Sequence, residues 1–465
     1  MPGRSMTLFG AALLAFTAIS NAASAQERRV PASLAQLQMS FAPIVQRVAP
    51  AVVNVYATHV VENQNPFMAD PFFRQFFGGV PRRQVERSLG SGVIVDPAGL
   101  IVTNFHVIRG ASQVKVALSD KREFDADIVL RDQRSDLAVL RIKGVHERFP
   151  TLEFGDSDKL QVGDVVLAIG DPFGVGQTVT HGIVSALART KVGSSDYQFF
   201  IQTDAPINPG NSGGALVDMS GHLIGINSAI ASSSGGSEGI GFAIPANLVR
   251  VVVASAESGS NAVKRPWLGA KLQEVTPDIA DSLGLKVPNG ALVASVVPDS
   301  PAARAGLKTG DLLVSVDGVA IEDPNAFDYR FATKALGGTA KVGILRQGRQ
   351  MTVSVALQPL PETPRDEVAI SARSPFAGAT VANLSPALAD ELRLDTQAQG
   401  VVITAVADGS TAQSIGFRPG DIVVNVNNEK IARSADLQRI ANSGGHSWRI
   451  TIQRGNQQIS VMFSG

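Results

Sequence analysis

The chain has 465 residues, no cysteine, and 41 basic against 41 acidic residues, so its formal net charge is zero. A chain of this length is too long to fold around one compact hydrophobic core, so several domains are expected. The balanced charge argues against a nucleic-acid partner bound through bulk electrostatics. The missing cysteines exclude disulfides, thiolate catalysis and cysteine-based zinc sites.

Residues 1–25 have the pattern of a secretory signal peptide. Arg4 supplies a positive start, residues 7–19 are apolar, and Ala23-Ser24-Ala25 is an A-x-A cleavage site. The apolar run is shorter than the ~20 residues that span a membrane, so cleavage is favoured over a retained anchor helix. An exported chain of this size without cysteine is typical of a bacterial periplasm.

Between residues 33 and 87 a helix, a strand and a long insertion are predicted. Apolar residues recur at helical spacing over 33–50, and residues 52–58 are strand-like. Residues 62–87 then interrupt the strands and contain two Phe-Phe pairs, at 72–73 and 76–77. Loops of this length tend to be functional. The phenylalanines are expected to dock on another subunit or, alternatively, to form a local mini-core.

From residue 89 to 245 short apolar strands alternate with turn signals, which is typical of an antiparallel barrel or sandwich. The predicted strands are 92–95, 101–104, 114–118, 128–131, 137–142, 165–169, 182–186, 199–203, 215–217 and 223–229. A helix at 246–256 ends this first domain, which is assigned to residues 26–256. A polar, glycine-containing linker follows at 257–264.

The C-terminal half contains an internal repeat. Residues 300–318 and 410–428 share a short helix that ends at glycine, a Gly-Asp pair and a strand. The second pair, Gly420-Asp421, follows Gly310-Asp311 by 110 residues. Each copy is expected to form one small domain, at 265–358 and 372–465, and a Pro-rich linker at 359–371 separates them.

Ser212 is the candidate nucleophile. It lies in Gly210-Asn211-Ser212-Gly213-Gly214, where glycine allows positive φ and a close approach to a substrate. A reachable hydroxyl beside converging N–H groups is what a serine nucleophile and an oxyanion hole require. Taken alone, the same composition is equally typical of an ordinary turn between strands.

Of the six histidines, His106 has the most favourable setting for a general base, because it follows a strand and enters a short turn. Asp136 stands at the start of an apolar strand and can orient the imidazole, with Asp132 as the alternative. The order His106, Asp136, Ser212 is that of the chymotrypsin-type double barrel. No motif predicts a metal or an ATP site, and no cofactor is expected.

The stretches 103–107, 135–140 and 203–214 resemble the HtrA family in its periplasmic Do-type branch, and the similarity spans essentially the whole mature chain. The resemblance implies a mainly β fold, with a chymotrypsin-like double β-barrel protease domain followed by two PDZ domains. It also implies that residues 62–87 are a regulatory loop that reaches a neighbouring subunit.

The same resemblance assigns roles to the candidate residues. It implies His106 as general base, Asp136 as orienter and Ser212 as nucleophile. The backbone N–H groups of Gly210 and Ser212 would form the oxyanion hole, with that of Asn211 close by.

In chymotrypsin-type enzymes the floor of the S1 pocket lies six residues before the nucleophile, which is Pro206 here and cannot select Lys or Arg. Ile207, Ile226 and Ile230 are the candidate apolar walls. Small aliphatic P1 residues such as Val, Ala or Ile are therefore predicted. Such residues are buried in folded proteins, so unfolded polypeptides are the expected substrates.

In the first PDZ domain the carboxylate-binding loop is expected at Trp267, Leu268, Gly269 and Ala270. Its N–H groups would hold a peptide C-terminus while the next strand pairs with the peptide. An ordinary domain-starting strand is the alternative. In the second copy Ala377 replaces the leucine, which makes peptide binding a weaker prediction there and leaves a role in assembly as the alternative.

The sequence thus predicts an ATP-independent periplasmic serine endopeptidase that degrades misfolded or unfolded exported proteins in stress-related quality control. Its expected partners are unfolded polypeptides and peptide C-termini, and its expected oligomer is a homotrimer or a larger assembly of trimers. A holdase-type chaperone or PDZ scaffold with secondary proteolysis is the competing hypothesis. A signalling protease with one substrate is a third, which the cleavable signal disfavours.

Overall fold

The computed structural model describes residues 40–62, 83–171, 176–189, 199–208, 210–230, 239–260, 262–445, 447–455 and 457–464. The chain divides into two units, Met1–Pro43 and Ile44–Gly465. The predicted signal peptide, the start of the helix predicted at 33–50 and the core of the Phe-rich insertion lie outside the described residues. Within the described part, no helix is long and apolar enough to cross a membrane.

The described chain is mainly β, as predicted, with short helices. The helices are α1 Ala42–Val48, α2 Phe105–Ile108, α3 Ala246–Glu257, α4 Pro277–Ser282, α5 Pro301–Arg304, α6 Pro324–Ala332, α7 Pro386–Glu391, α8 Thr411–Ile415 and α9 Ser434–Asn442, with 3-10 turns at Ala49–Ala51 and Ser157–Lys159.

The strands of the first domain are β1 Val52–Glu62, β2 Arg83–Asp96, β3 Leu100–Asn104, β4 Gln113–Ala117, β5 Glu123–Asp132, β6 Leu137–Ile142, β7 Val165–Gly170, β8 Thr178–Arg189, β9 Phe200–Thr203, β10 Ala215–Val217, β11 Leu223–Ile230 and β12 Gly241–Pro245. Those of the repeat are β13 Ala270–Glu274, β14 Ala291–Val296, β15 Leu312–Val316, β16 Val319–Ala320, β17 Thr339–Arg346, β18 Arg349–Ala356, β19 Val368–Ala369, β20 Ala379–Asn383, β21 Val401–Val406, β22 Ile422–Val426, β23 Glu429–Lys430, β24 Ser447–Arg454 and β25 Gln457–Ser464.

Two closed antiparallel barrels form the first domain. Their strand orders are β1-β2-β3-β6-β5-β4 and β10-β11-β12-β9-β8-β7. Alternate residues of each strand face inward, so aliphatic side chains such as Val53 and Leu140 fill the first barrel, and Val166 and Leu216 fill the second. Helix α3 packs against β11 through its apolar face. The double barrel predicted from strand spacing and residue order is confirmed.

Strands β1 and β2 are longer than the sequence predicts. Their ladder runs in register from Val52 opposite Val93 to Glu62 opposite Arg83. Residues 83–87, which were expected in the insertion loop, therefore belong to β2. The described residues on either side of positions 63–82 therefore pair with each other as one hairpin of the first barrel.

The sequence repeat folds into two copies of one sheet-and-helix unit, with strand orders β13-β14-β15-β17-β18 and β19-β20-β21-β22-β24-β25. In each copy the aspartate of the Gly-Asp pair is buried against an arginine of a later strand. Asp311 pairs with Arg346, and Asp421 pairs with Arg454, both with a shortest N–O distance of 2.6 Å. The pairing of a buried aspartate with a partly exposed arginine is the physical reason for the repeated Gly-Asp signature.

The boundary of the second copy differs from the prediction. Residues 359–371 were expected to be linker, yet they include strand β19, which pairs antiparallel with β20. Ile370 is also buried in the core of this copy. The second domain therefore includes residues 365–371, and the linker is correspondingly shorter.

Candidate active site

His106 and Asp136 come together at one end of the first barrel. His106 lies on α2, directly after β3, and Asp136 lies in the turn before β6. The Nδ1 atom of His106 lies 2.7 Å from Asp136 Oδ2, and the backbone N–H of His106 donates to Oδ1 at 2.9 Å. Asp136 has a φ of 55°, a left-handed conformation that is uncommon outside glycine. The carboxylate fixes the ring and holds a proton on Nδ1, which leaves Nε2 as the acceptor.

The alternative orienter, Asp132, does not contact His106. It forms an ion pair with Arg265, and it accepts a hydrogen bond from the Ser135 hydroxyl. Of the two aspartates that the sequence offered as orienter, only Asp136 therefore contacts His106.

Two buried polar residues that sequence reasoning missed hold Asp136 in place. Ser228, on β11 of the second barrel, donates its hydroxyl to Asp136 Oδ2 at 3.2 Å. Asn104 donates its Nδ2 to the Asp136 carbonyl at 3.0 Å. Ser228 is 6% exposed and Asn104 is fully buried. A buried polar residue inside an apolar strand needs a specific partner, and this is the signal that could have found Ser228.

Ser212 lies in a tight turn before β10. Gly213 has a φ of 85°, and a Cβ there would lie 2.1 Å from the Ser91 carbonyl oxygen, so only glycine fits. The Gly213 N–H donates to the Asn227 carbonyl at 2.8 Å, which ties the turn to β11. The Ser212 hydroxyl donates to the Ser228 carbonyl at 3.1 Å. In the described part of the chain no hydrogen bond joins this hydroxyl to His106.

The three backbone N–H groups named for the candidate oxyanion hole, those of Gly210, Asn211 and Ser212, are not equally available. The Asn211 N–H donates to the Asn208 carbonyl at 3.0 Å, so this donor is already used within the turn. The N–H groups of Gly210 and Ser212 have no acceptor among the described residues. The available N–H donors at this turn are therefore those of Gly210 and Ser212, the two that were expected to form the hole.

Ser91, on β2 of the first barrel, connects both barrels at this turn. Its hydroxyl donates to the Gly210 carbonyl at 2.6 Å and accepts from the Asp171 N–H at 2.9 Å. Its backbone N–H donates to the Ser212 carbonyl at 2.8 Å. Burial raises the pKa of the adjacent Asp171 carboxyl. The geometry of the serine turn therefore depends on the contact between the barrels.

The four predicted S1 residues do not form one pocket wall. Pro206 is exposed, and its carbonyl accepts the Thr180 hydroxyl at 2.8 Å. Ile226 is fully buried in the middle of β11. Ile207 is also buried, and a Cβ added at Gly241 would lie 2.8 Å from its Cδ1. The side chain of Ile230 lies outside the described residues.

The predicted carboxylate-binding loop, Trp267 to Ala270, leads into β13, an edge strand of its sheet within the described chain. The Leu268 and Gly269 carbonyls accept hydrogen bonds from Ala302 and Val297, at 2.9 and 2.8 Å. The N–H groups of Leu268 and Gly269 have no acceptor among the described residues. The loop thus presents two donors beside an open strand edge, which suits a peptide carboxylate.

Both repeat domains contact the loop 132–136 that carries Asp136. Arg265, at the start of the first repeat domain, and its partner Asp132 are 9% and 6% exposed in their ion pair. Arg134 forms an ion pair with Asp390 on α7 of the second repeat domain. A cavity of about 600 Å³ opens between this loop and the two repeat domains. The loop is therefore a junction of all three domains.

Residues 90–226 match the family model of the trypsin-like peptidase domain, and residues 266–357 and 402–454 match models of PDZ domains. The chain is 37% identical to the periplasmic serine endoprotease DegP of Escherichia coli strain K12, over 99% of this chain and 100% of DegP. It is 38% identical to the DegP of Salmonella typhimurium strain LT2, over 95% of each chain. The chain belongs to the HtrA family of Do-type periplasmic proteases.

Further relatives agree with this assignment. This chain is also 37% identical to the periplasmic pH-dependent serine endoprotease DegQ of Escherichia coli strain K12, over 91% of each chain. A solved structure of the HtrA-type protease AlgW with a decapeptide is 45% identical, with a TM-score of 0.53, and covers 70% of this chain and 100% of that one. This HtrA protein is accordingly a serine endopeptidase with two PDZ domains. Below, PDZ1 denotes residues 265–358 and PDZ2 residues 365–464.

Proposed function

We propose that His106, Asp136 and Ser212 are the catalytic triad with which this protease cleaves unfolded polypeptides. The observation that carries the proposal is the 2.7 Å contact between His106 Nδ1 and Asp136 Oδ2, at the point where both barrels converge on the serine turn. A carboxylate fixed on Nδ1 gives the imidazole the tautomer that a general base needs. The first barrel supplies base and orienter, and the second supplies the nucleophile.

The reaction follows from these positions. The Ser212 hydroxyl leaves the Ser228 carbonyl, turns to His106 Nε2 and attacks the scissile carbonyl while Nε2 takes its proton. Asp136 stabilises the imidazolium that forms. The N–H groups of Gly210 and Ser212 stabilise the oxyanion, and His106 returns the proton to the leaving amine. Water, activated by the same Nε2, then releases the acyl group.

The proposal includes small aliphatic P1 residues. Pro206 offers no carboxylate to a basic P1 side chain, and the bulk of Ile207 against Gly241 leaves little depth in this part of the second barrel. Val, Ala and Ile are buried in folded proteins, so chains that expose them are unfolded or misfolded.

The proposal also includes export and assembly. The pattern of residues 1–25 supports a cleavable signal peptide, and the relatives named periplasmic support the same compartment. The aromatic insertion at 62–87 supports a homotrimer, or a larger assembly of trimers, in which this segment reaches a neighbouring subunit. Mass measurement with and without denatured substrate tests the assembly, and a strictly monomeric protein in both conditions contradicts it.

Casein digestion together with active-site labelling tests the proposed function. The full chain is expected to degrade denatured casein, and a fluorophosphonate probe is expected to modify Ser212, as mapped by peptide mass spectrometry. A Ser212→Ala variant should neither digest nor be labelled. If both proteins suppress aggregation of a denatured substrate but neither cleaves it, the chaperone hypothesis replaces the protease one. Labelling at another serine would overturn the triad.

We expect Ile207→Ala to broaden the P1 preference. Removal of the buried side chain opens space beside Gly241, so the ratio of kcat/KM for Leu over Val at P1 should rise by about tenfold. Chromogenic peptides that differ only at P1 measure this ratio. Ile226→Ala is the matched control, because it removes the same groups from the same barrel core without changing the ratio. Equal ratios in both variants would contradict the role of Ile207.

A further inference from the structure

We propose that the peptide-binding groove of PDZ2 is filled by the chain's own residues 365–370, which act as a tethered ligand and close this groove to the C-termini of other proteins. This segment lies between the domains in sequence, but in the structure it occupies the place of a bound peptide. This proposal does not depend on the proposed proteolytic function, so an experiment can contradict one without contradicting the other.

The segment is bound as an added strand. Val368 and Ala369 of β19 stand opposite Val381 and Thr380 of β20 in antiparallel register. The register continues to Ile370, whose N–H donates to the Ala379 carbonyl at 2.9 Å. Strand addition to an exposed sheet edge is how PDZ domains take up peptides. Here that edge is covered by the protein itself.

The carbonyl of Ile370 takes the place of a peptide carboxylate. Gly269 in PDZ1 and Gly378 in PDZ2 occupy equivalent loop positions, since their carbonyls accept N–H groups from Val297 and Ala407, both at 2.8 Å. The Gly269 N–H has no acceptor among the described residues, whereas the Gly378 N–H donates to the Ile370 carbonyl at 2.8 Å. The same donor is thus open in PDZ1 and used in PDZ2.

The side chains of the segment fill the groove as a ligand's would. Ile370 is 3% exposed and packs in one apolar cluster with Phe376 of the loop and Leu437 of α9. Val368, two residues earlier and on the same face, packs against this cluster as well. Helix α9 contacts both β19 and β20, so the segment lies between the helix and the strand that border the groove.

Polar contacts hold the upstream end of the segment. The Asn383 N–H donates to the Arg365 carbonyl at 2.7 Å, and its Nδ2 donates to Asp366 Oδ2 at 2.9 Å. The Ser434 hydroxyl donates to the Asp366 carbonyl at 2.7 Å, and the Thr404 hydroxyl donates to Glu367 Oε1 at 2.9 Å. The groove therefore suits a chain end with two aliphatic residues spaced by one, preceded by acidic residues.

Because the PDZ2 groove is filled by the chain's own residues 365–370, the binding of peptides from other proteins is left to PDZ1. A ligand on the same chain has an effective concentration in the millimolar range, so an outside peptide competes only when it is similarly concentrated or binds much more tightly. Displacement would release residues 359–371 as a longer tether between PDZ1 and PDZ2. The PDZ2 groove is thus closed and becomes available to other peptides only when residues 365–370 leave it.

Calorimetric titration of the full chain tests the proposal, in a Ser212→Ala background that leaves the probe intact. The probe is the peptide Arg-Asp-Glu-Val-Ala-Ile with a free C-terminal carboxylate. Ile370→Ser removes the buried anchor and should reveal one additional site per chain, with an apparent affinity at least ~30-fold above that of the unaltered groove. Ser371→Ala, the adjacent substitution outside the apolar cluster, is the control and should add no site.

A disulfide lock makes the test independent of how well Ile370→Ser folds. Ala369→Cys with Thr380→Cys places one cysteine pair on directly opposed residues of a chain that has no other cysteine. The oxidised pair should block the PDZ2 site at millimolar peptide, and reduction should restore it. Three results would overturn the proposal: no disulfide under mild oxidation, equal peptide binding by the oxidised and reduced forms, or an additional site of equal affinity in the unaltered groove.

Discussion

Replacing Asp136 by Asn is expected to lower kcat for peptide cleavage by about 10⁴-fold while the fold remains intact. Each contact of this carboxylate is a donor: the His106 Nδ1–H and the Ser228 hydroxyl on Oδ2, and the His106 backbone N–H on Oδ1. The backbone N–H cannot change its role, so the amide oxygen of Asn must face it. The amide NH₂ of Asn then faces Nδ1, so the imidazole proton moves to Nε2. A protonated Nε2 cannot accept a hydrogen bond from the Ser212 hydroxyl.

Steady-state kinetics on a chromogenic peptide measure this loss, with thermal unfolding as the check on folding. Asp132→Asn is the informative comparison, because Asp132 lies four residues earlier and contacts Arg265 instead of His106. Its kcat should fall far less than that of Asp136→Asn. The reverse order of the two variants would show that the orienter has been assigned to the wrong aspartate.

Asp311→Ala and Asp421→Ala are each expected to destabilise their own PDZ domain by about 3 kcal/mol, because each leaves an arginine without its buried partner. Both carboxylates are 1% exposed, and both accept two hydrogen bonds from one guanidinium. For a domain of this size the loss corresponds to a fall in Tm of at least ~10 °C. Differential scanning calorimetry of the full chain should show one transition lowered in each variant and the other unchanged.

The pH dependence of the PDZ1 transition provides a second readout. Burial alone raises the pKa of the Asp311 carboxyl, but the Arg346 guanidinium and the Lys308 N–H outweigh it and hold this pKa below its usual value. A group with a lowered pKa in the folded state stabilises above its unfolded pKa of about 4 and loses this contribution as the pH falls further. Asp311→Ala should therefore flatten the acid-induced decline of PDZ1.

Asp127→Ala is the matched control for both PDZ variants. Its ion pair with Lys143 is 66% and 50% exposed, so it should change no transition by more than about 0.5 kcal/mol. If the PDZ variants behave like this surface control, the repeated Gly-Asp pair has no structural role.

The architecture could be predicted because it depends on local patterns. Short strands rich in β-branched residues, separated by turn residues, indicate an antiparallel barrel or sandwich, and the order of His106, Asp136 and Ser212 favours the double barrel. The repeat is visible in the sequence itself. The contact between His106 and Asp136 could be expected from their places at strand ends. Ser91 carries no local signal, because its hydroxyl acquires its partners, the Gly210 carbonyl and the Asp171 N–H, only when one barrel packs on the other.

Burial and pairing within the folded domain could not be read from the sequence. Ile226 was assigned to a pocket because it is apolar and near the nucleophile, and the structure buries it completely within β11. Residues 368–370 were assigned to a linker because a two-residue strand has no period of its own. The groove formed by β20 and α9 gives that segment its conformation, and such a groove exists only in the folded domain.

The position of Ser91 between the barrels has a consequence for heat inactivation. Neither barrel contains all three residues of the proposed triad, and Ser91 reaches from β2 of one to the Gly210 and Ser212 carbonyls of the other. A slight loosening of this contact misaligns the site while both closed barrels keep all their strands. On heating, activity should therefore vanish, and return on cooling, at temperatures where circular dichroism still reports intact β-structure.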